Sequence, residues 1–228
     1  MRTPLNVIIG LTELSIMEEK SPVVKDYLSK LSLSSQYLLS LINDVLDMSR
    51  IENGRLLLHP DCYLYRDFQK YIKSSILPLC EQKNITMIEQ DYGQHFPIFI
   101  DATRFNQVIF NLLSSTIQFS PDNSMIYMIY HNQVVGNSLS MYFEIQNSGM
   151  EISKEFQKHI FEPFSQERPN NSNASQATGL GLTIAKAIVD RMDGTLTVES
   201  REGKGTSFLL HLTMPLVDDR LRKNRPMV

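Results

Sequence analysis

The 228-residue sequence predicts an α+β protein: a helical hairpin over residues 1–54, then helices layered on one face of a mostly antiparallel sheet over residues 55–216. Three observations carry this reading. Apolar residues in the first fifty positions recur in threes and fours, which is helical spacing. From about residue 85 onward, period-2 runs alternate with helical stretches, the mark of a sheet with helices against it. Gly54 separates the two regimes.

The first element is RTPLNVIIG (2–10). Proline is harmless in the first turn of a helix and costs about 3 kcal/mol further in, so either Pro4 opens a helix or the chain begins inside one. Ser21-Pro22 is a cap followed by a first-turn proline, and Val24, Leu28, Leu31, Leu38, Ile42 and Val45 then follow a heptad seam interrupted only by Ser35. That hairpin has more apolar face than it can bury alone. Pairing with a second hairpin in a four-helix dimer is the expected solution.

After Gly54 the pattern predicts a helix over 66–80, strands at 85–90 and 96–100, and a helix over 102–118. Long strands follow at MIYMIYHNQVV (125–135) and LSMYFEIQ (139–146), with a short helix near 154–161. A helix over 181–192, on whose buried face Leu182, Ala185, Ile188, Val189 and Met192 are expected, precedes a closing strand pair at 195–200 and 206–214. SQERPNNSNASQAT (165–178) has no large apolar residue and reads as a mobile loop, and 217–228 as a tail or linker.

Composition removes several classes of function. A formal net charge of -3 and a pI near 6.0 argue against nucleic acid as a partner. Cys62 and Cys80 form no CxxC and have no histidine pair beside them, so neither a zinc site nor a disulfide framework is expected. No apolar run is long enough to span a membrane, and no direct membrane contact is expected.

Chemistry is concentrated in four places. On the 102–118 helix, Arg104, Gln107, Asn111, Ser115 and Gln118 are spaced 3, 4, 4, 3, so they share one face while Phe105, Val108, Ile109 and Leu112 fill the other. Amides and a hydroxyl in place of Lys and Glu suit a ligand wall, although an amphipathic surface helix gives the same stripe. QNSGMEI (146–152) is an ordinary turn or a place where a ligand meets backbone amides. TGLGL (178–182) puts glycines at a helix start, where N–H groups can approach a phosphate; it is neither a P-loop nor a dinucleotide fingerprint. GKGTSF (203–208) reads alone as a hairpin turn.

Together and in this order these stretches resemble the sensor histidine kinases of two-component systems. RTPLNVIIG is similar to the run just after the phosphoacceptor histidine, NLLSSTIQFS (111–120) to the N box, NSGMEI to the first glycine box, FEPF (161–164) to the F box, GLGL to the second glycine box and GKGTSF to the third. The resemblance implies a dimerisation and phosphotransfer hairpin followed by an ATP-binding domain of the Bergerat, α/β-sandwich type. Its phosphoacceptor histidine is expected upstream of Met1, with Pro4 inside the first helix, and none of the five histidines present (His59, His95, His131, His159, His211) falls on the hairpin.

Carried over residue by residue, the resemblance places ATP against Asn111, Ser115, Gln118, Phe119, Asn147, Gly149, Ile152, Phe161, Phe164, Gly179, Leu180, Gly181, Leu182 and Thr206, with Mg²⁺ on Asn111. The loop 165–178 would be a lid, and Thr3 would assist dephosphorylation. The implied partners are a second copy through residues 1–54 and the receiver domain of a response regulator. The implied location is cytoplasmic, free or as the inner part of a membrane-anchored sensor.

Four positions depart from the family pattern. The aspartate that accepts from the adenine amino group is Asn147, the first box's second glycine is Glu151, the second N-box asparagine is Ser115 and the N-box lysine is Gln118. Each weakens nucleotide binding, which leaves a pseudokinase-like dimeric regulatory module as the alternative reading. A gyrase- or chaperone-type ATPase is disfavoured by the hairpin and RTPLN.

Overall fold

In a computed structural model the chain is described at residues 2–18, 21–149, 151–165, 178–201, 203 and 205–216. Residues 166–177 of the expected lid (165–178) and the expected tail (217–228) lie outside the described residues. The chain forms two compact units, residues 1–55 and 56–228.

The first unit is two helices, α1 (Arg2–Glu18) and α2 (Pro22–Glu52). Pro22 begins α2 directly after Ser21, whose backbone is extended. The helix ends where Gly54 takes a φ of +63°; Gly54 N–H donates to the Ile51 carbonyl (2.9 Å) and Arg55 N–H to that of Arg50 (2.8 Å). This is a Schellman ending that uses the left-handed conformation open to glycine. Ser32 and Ser35 are buried, so the serine that interrupts the seam sits inside, whereas Leu31, Leu38 and Val45 are about half exposed in the single chain. On α1, Val7, Leu11 and Leu14 are also exposed.

The second unit is built on a five-stranded sheet. Its strands are β2 (Thr86–Asp91), β4 (Met125–Val135), β5 (Ser138–Asn147), β6 (Thr195–Arg201) and β7 (Gly205–Pro215), in the order β2-β4-β5-β7-β6. Only β2 and β4 run parallel; the other neighbours are antiparallel. A separate two-stranded ribbon pairs β1 (Asp61–Tyr63) with β3 (Ile98–Ile100). Helices α3 (Tyr65–Ser75), α4 (Leu77–Gln82), α5 (Ala102–Phe119), α6 (Lys154–Gln157) and α7 (Gly181–Arg191) complete the unit. The expected α+β class is thereby met.

Period 2 selects the core face of each strand. Ile126, Met128 and Tyr130 on β4, Met141, Phe143 and Ile145 on β5, and Phe208, Leu210 and Leu212 on β7 are all buried. The β5 residues meet the apolar face of α5, where Phe105, Val108, Ile109 and Leu112 are at most 2% exposed. Phe68, Phe105 and Phe143 form a ring cluster with centroids 5.6–5.8 Å apart. On the other face of the sheet, Tyr142 stacks between His131 and His211.

Several elements differ from expectation, and the short helix expected near 154–161 spans only Lys154–Gln157. The helix predicted over 66–80 is two helices broken at Ile76, because Pro78 has no N–H and its ring would clash with the carbonyl four residues back. A new helix restarts with Pro78 in its first turn, and Leu79 and Cys80 both donate to Ile76 O. The strand β1 is absent from the sequence expectation, since three residues are too short to show alternation. On α7, Ala185, Ile188 and Val189 are buried as expected, with Thr183 and Ile184 beside them, whereas Leu182 is half-buried and Met192 caps the end.

Candidate nucleotide site

Helix α5 is the spine of the site. Asp101 caps it, accepting from Arg104 N–H (3.0 Å) and from His59 N–H (2.8 Å). Of the polar stripe, Arg104 donates to Gln107 Oε1 (2.7 Å), so those two side chains are paired at the start of the helix. Asn111 reaches across to α7, where its Nδ2 donates to the Gly181 carbonyl (2.9 Å). A carbonyl only accepts, so the amide orientation is fixed and Oδ1 is left as an oxygen donor beside the glycines. A methyl group at Gly181 would stand 3.6 Å from that Oδ1, the distance of ordinary contact.

Ser115 and Gln118 are half-buried along the same face, and no hydrogen bond among the described residues uses their side chains. Phe119 is half-buried at the end of the helix.

The far end of α5 meets the ends of two strands. Asn147, the last residue of β5, is 2% exposed. Its Oδ1 accepts from Thr206 N–H (2.9 Å) and its Nδ2 donates to Ser120 Oγ (3.3 Å), while Ser120 O–H donates to Thr116 O (2.6 Å). Gly205 has a φ of +78°, and its backbone passes so close to the Asn147 carbonyl that no Cβ fits there. Gly149 packs on Pro121, where an added Cβ would meet the ring at 2.5 Å.

A residue outside every motif completes this end. The Lys83 ammonium donates to the carbonyls of Ile117 (3.1 Å), Gln118 (3.0 Å) and Ser120 (2.7 Å), satisfying the last turn of α5. No local pattern announces it, because the acceptors lie 34 to 37 residues away.

The glycine boxes are joined by short polar contacts. Ile152 N–H donates to Ser200 Oγ (2.9 Å), and Thr206 Oγ1 donates to the same hydroxyl (3.0 Å). Glu151, which stands where the family pattern has the first box's second glycine, accepts from Gly203 N–H (2.6 Å) and so binds the first box to the third. Phe164, with φ +61° and 68% exposed, donates its N–H to the Gly179 carbonyl (3.0 Å). Gly179 itself has φ +69°, and a Cβ there would lie 2.9 Å from the Phe164 backbone. Phe161 is half-buried, and Leu180 is 1% exposed beneath the glycines. The Thr183 hydroxyl, on the first turn of α7, is buried without a hydrogen-bond partner among the described residues. Nothing in the local pattern singles that threonine out.

The candidate residues therefore gather at the two ends of one helical face. Asn111, Gly179, Gly181 and Phe164 lie toward the start of α7; Asn147, Thr206 and Gly149 lie toward the end of α5. Asn111 and Ser120 are nine residues apart on α5, about 13 Å at 1.5 Å per residue. The side chain of Thr3, and Met150 in the first glycine box, lie outside the described residues.

Comparison with known proteins agrees with this geometry. Residues 100–216 match the Histidine kinase-, DNA gyrase B-, and HSP90-like ATPase family, and residues 1–54 the His Kinase A (phospho-acceptor) domain. The chain is 33% identical over 229 residues to the autoinducer 2 sensor kinase/phosphatase LuxQ of Vibrio parahaemolyticus, covering 100% of this chain and 26% of that protein. It is 31% identical to the sensor histidine kinase GacS of Pseudomonas protegens, over 96% of this chain and 24% of that protein. Its fold is similar to that of full-length ShkA, solved in complex with AMPPNP, with a TM-score of 0.72 at 22% identity, over 97% of this chain and 45% of that one.

The chain belongs to the sensor histidine kinases of two-component systems, joining a His Kinase A domain to an ATPase domain. It spans about a quarter of the length of these curated relatives. No helix among the described residues is long and apolar enough to cross a membrane.

Proposed function

We propose that residues 56–216 bind ATP along the polar face of α5 and serve as the phosphoryl donor to a histidine of a His Kinase A hairpin, from which a response-regulator aspartate is charged. The observation that carries this reading is the pairing of the two ends: Asn111 on Gly181, and Asn147 on Thr206. A nucleoside triphosphate lying along α5 spans that length, with its base at Asn147 and its phosphates at the glycine-flanked start of α7. The pseudokinase reading has no support in the relatives, two of which carry kinase in their names.

Mg²⁺ fits one of the proposed ligands. It takes oxygen donors, and the Asn111 Oδ1 is an amide oxygen left over once Nδ2 is committed to Gly181. When bound, the ion would neutralise phosphate charge; the protein side chains would position and orient. Ser115, one turn further on, offers a hydroxyl that reaches less far than an amide. Asn111 thus carries the metal side largely alone.

Titration of the chain with ATP, with and without Mg²⁺, tests this. The Mg²⁺-dependent part of the affinity should vanish in Asn111→Ala, with about a tenfold loss if one charge-assisted contact of about 1.5 kcal/mol goes. A wild-type chain that binds no ATP would refute the donor role.

The hairpin is the proposed dimer surface. Leu31, Leu38 and Val45 are 48–53% exposed in one chain, and burying each is worth about 1.5–3 kcal/mol. Sedimentation should show a dimer at micromolar concentration, which Leu31→Asp with Leu38→Asp converts to monomer. If the double variant sediments as the wild type does, the seam is not the interface.

A further inference from the structure

We propose that Asn147 makes this pocket permissive at position 6 of a purine, so that 6-oxopurine triphosphates such as ITP are accepted alongside ATP; the inference rests on the nucleotide reading above. Its ground is how the amide is held. Thr206 N–H can only donate, so the atom facing it at 2.9 Å is Oδ1. The atom 3.3 Å from Ser120 Oγ is then Nδ2, and Ser120 receives that bond because its own hydrogen goes to Thr116 O. Reversing the amide would set an NH₂ against a backbone N–H in a site only 2% exposed. The orientation is therefore locked.

Among the described residues, each amide atom has spent one of its two hydrogen-bonding capacities. One lone pair on Oδ1 and one hydrogen on Nδ2 remain. Adenine presents an amino donor at position 6, and hypoxanthine and guanine present a carbonyl acceptor there. The free lone pair serves the first and the free hydrogen serves the second. An aspartate at this position would offer oxygens only, which suit the amino group and oppose the carbonyl. Its second oxygen would also need a donor, turning the Ser120 hydroxyl away from Thr116 O.

A purely structural role for Asn147, tying the end of β5 to α5 and β7, predicts nothing about the base. The two roles separate in one experiment. The 228-residue chain is titrated with ATP, ITP and inorganic tripolyphosphate in Mg²⁺, as wild type and as Asn147→Asp. ITP should bind the wild type within about threefold of ATP, tripolyphosphate at least tenfold more weakly, and Asn147→Asp should favour ATP over ITP by more than tenfold.

A wild type that rejects ITP by tenfold or more while binding ATP overturns the inference and leaves the nucleotide reading standing. So does tripolyphosphate binding as well as ATP, since the base would then contribute nothing. An unchanged ATP-to-ITP ratio in a folded Asn147→Asp chain also overturns it. Binding of none of the three removes the nucleotide reading, and this inference with it. The wild-type comparison needs no variant to fold.

Discussion

Gly205→Ala is expected to abolish nucleotide binding and to lower the stability of the sheet unit by about 3 kcal/mol or more. Two costs coincide at this position. A φ of +78° is strained for any residue with a Cβ, and the added methyl would sit far inside van der Waals contact distance of the Asn147 carbonyl oxygen, with Asn147 Oδ1 at 3.1 Å. The neighbour that must yield is backbone, paired in register with Thr206 at the end of β5. Relief therefore means parting β5 from β7 at the point that aims the Asn147 amide. Gly136→Ala is the matched control, because Gly136 also has a positive φ (+61°) but nothing within 4 Å of a built Cβ. It should cost about 1 kcal/mol and leave ATP affinity alone. Denaturant midpoints, followed by tyrosine fluorescence since the chain has no tryptophan, give the comparison. Equal losses in the two variants would show that backbone strain, and not the contact with Asn147, is what matters at Gly205.

That contact marks the boundary of what is legible in the sequence. The α5 stripe, the strand 125–135 and the order of the glycine boxes are readable because each is a local pattern, fixed by a period or by a turn residue. Helix α5 runs Ala102–Phe119 against an expected 102–118, and β4 matches its expected bounds. The hydrogen bonds that give the boxes their geometry join residues distant in sequence: Asn147 to Thr206, Asn111 to Gly181, Glu151 to Gly203. Glu151 is the clearest case. By composition it is a misplaced charge in a glycine box, yet its carboxylate holds the turn between β6 and β7. The break at Pro78 is a local signal too, but the apolar spacing continues through the proline and masks it.

Lys83→Met should be the most damaging substitution outside the motifs. The lysine supplies three N–H donors, and all three meet carbonyls of the last turn of α5, at 3.1, 3.0 and 2.7 Å. A cation at a helix C-terminus also interacts favourably with the helix dipole. Methionine keeps most of the aliphatic stem, so packing changes little and the loss is polar. Charge-assisted hydrogen bonds contribute about 1.5–3 kcal/mol, and one ammonium shared among three carbonyls belongs near the middle of that range. A loss of about 2 kcal/mol lowers the melting temperature by about 4–8 °C in a unit of this size. Nucleotide affinity should fall as well, although Lys83 donates to no motif side chain. Its shortest bond is to the carbonyl of Ser120, whose hydroxyl accepts from Asn147, so a frayed α5 terminus loosens the amide proposed to meet the base. Calorimetry and an ATP titration on the same preparation separate the two effects. A variant that melts with the wild type would show that water replaces the ammonium at no cost; one that is destabilised but binds ATP normally would confine Lys83 to the fold.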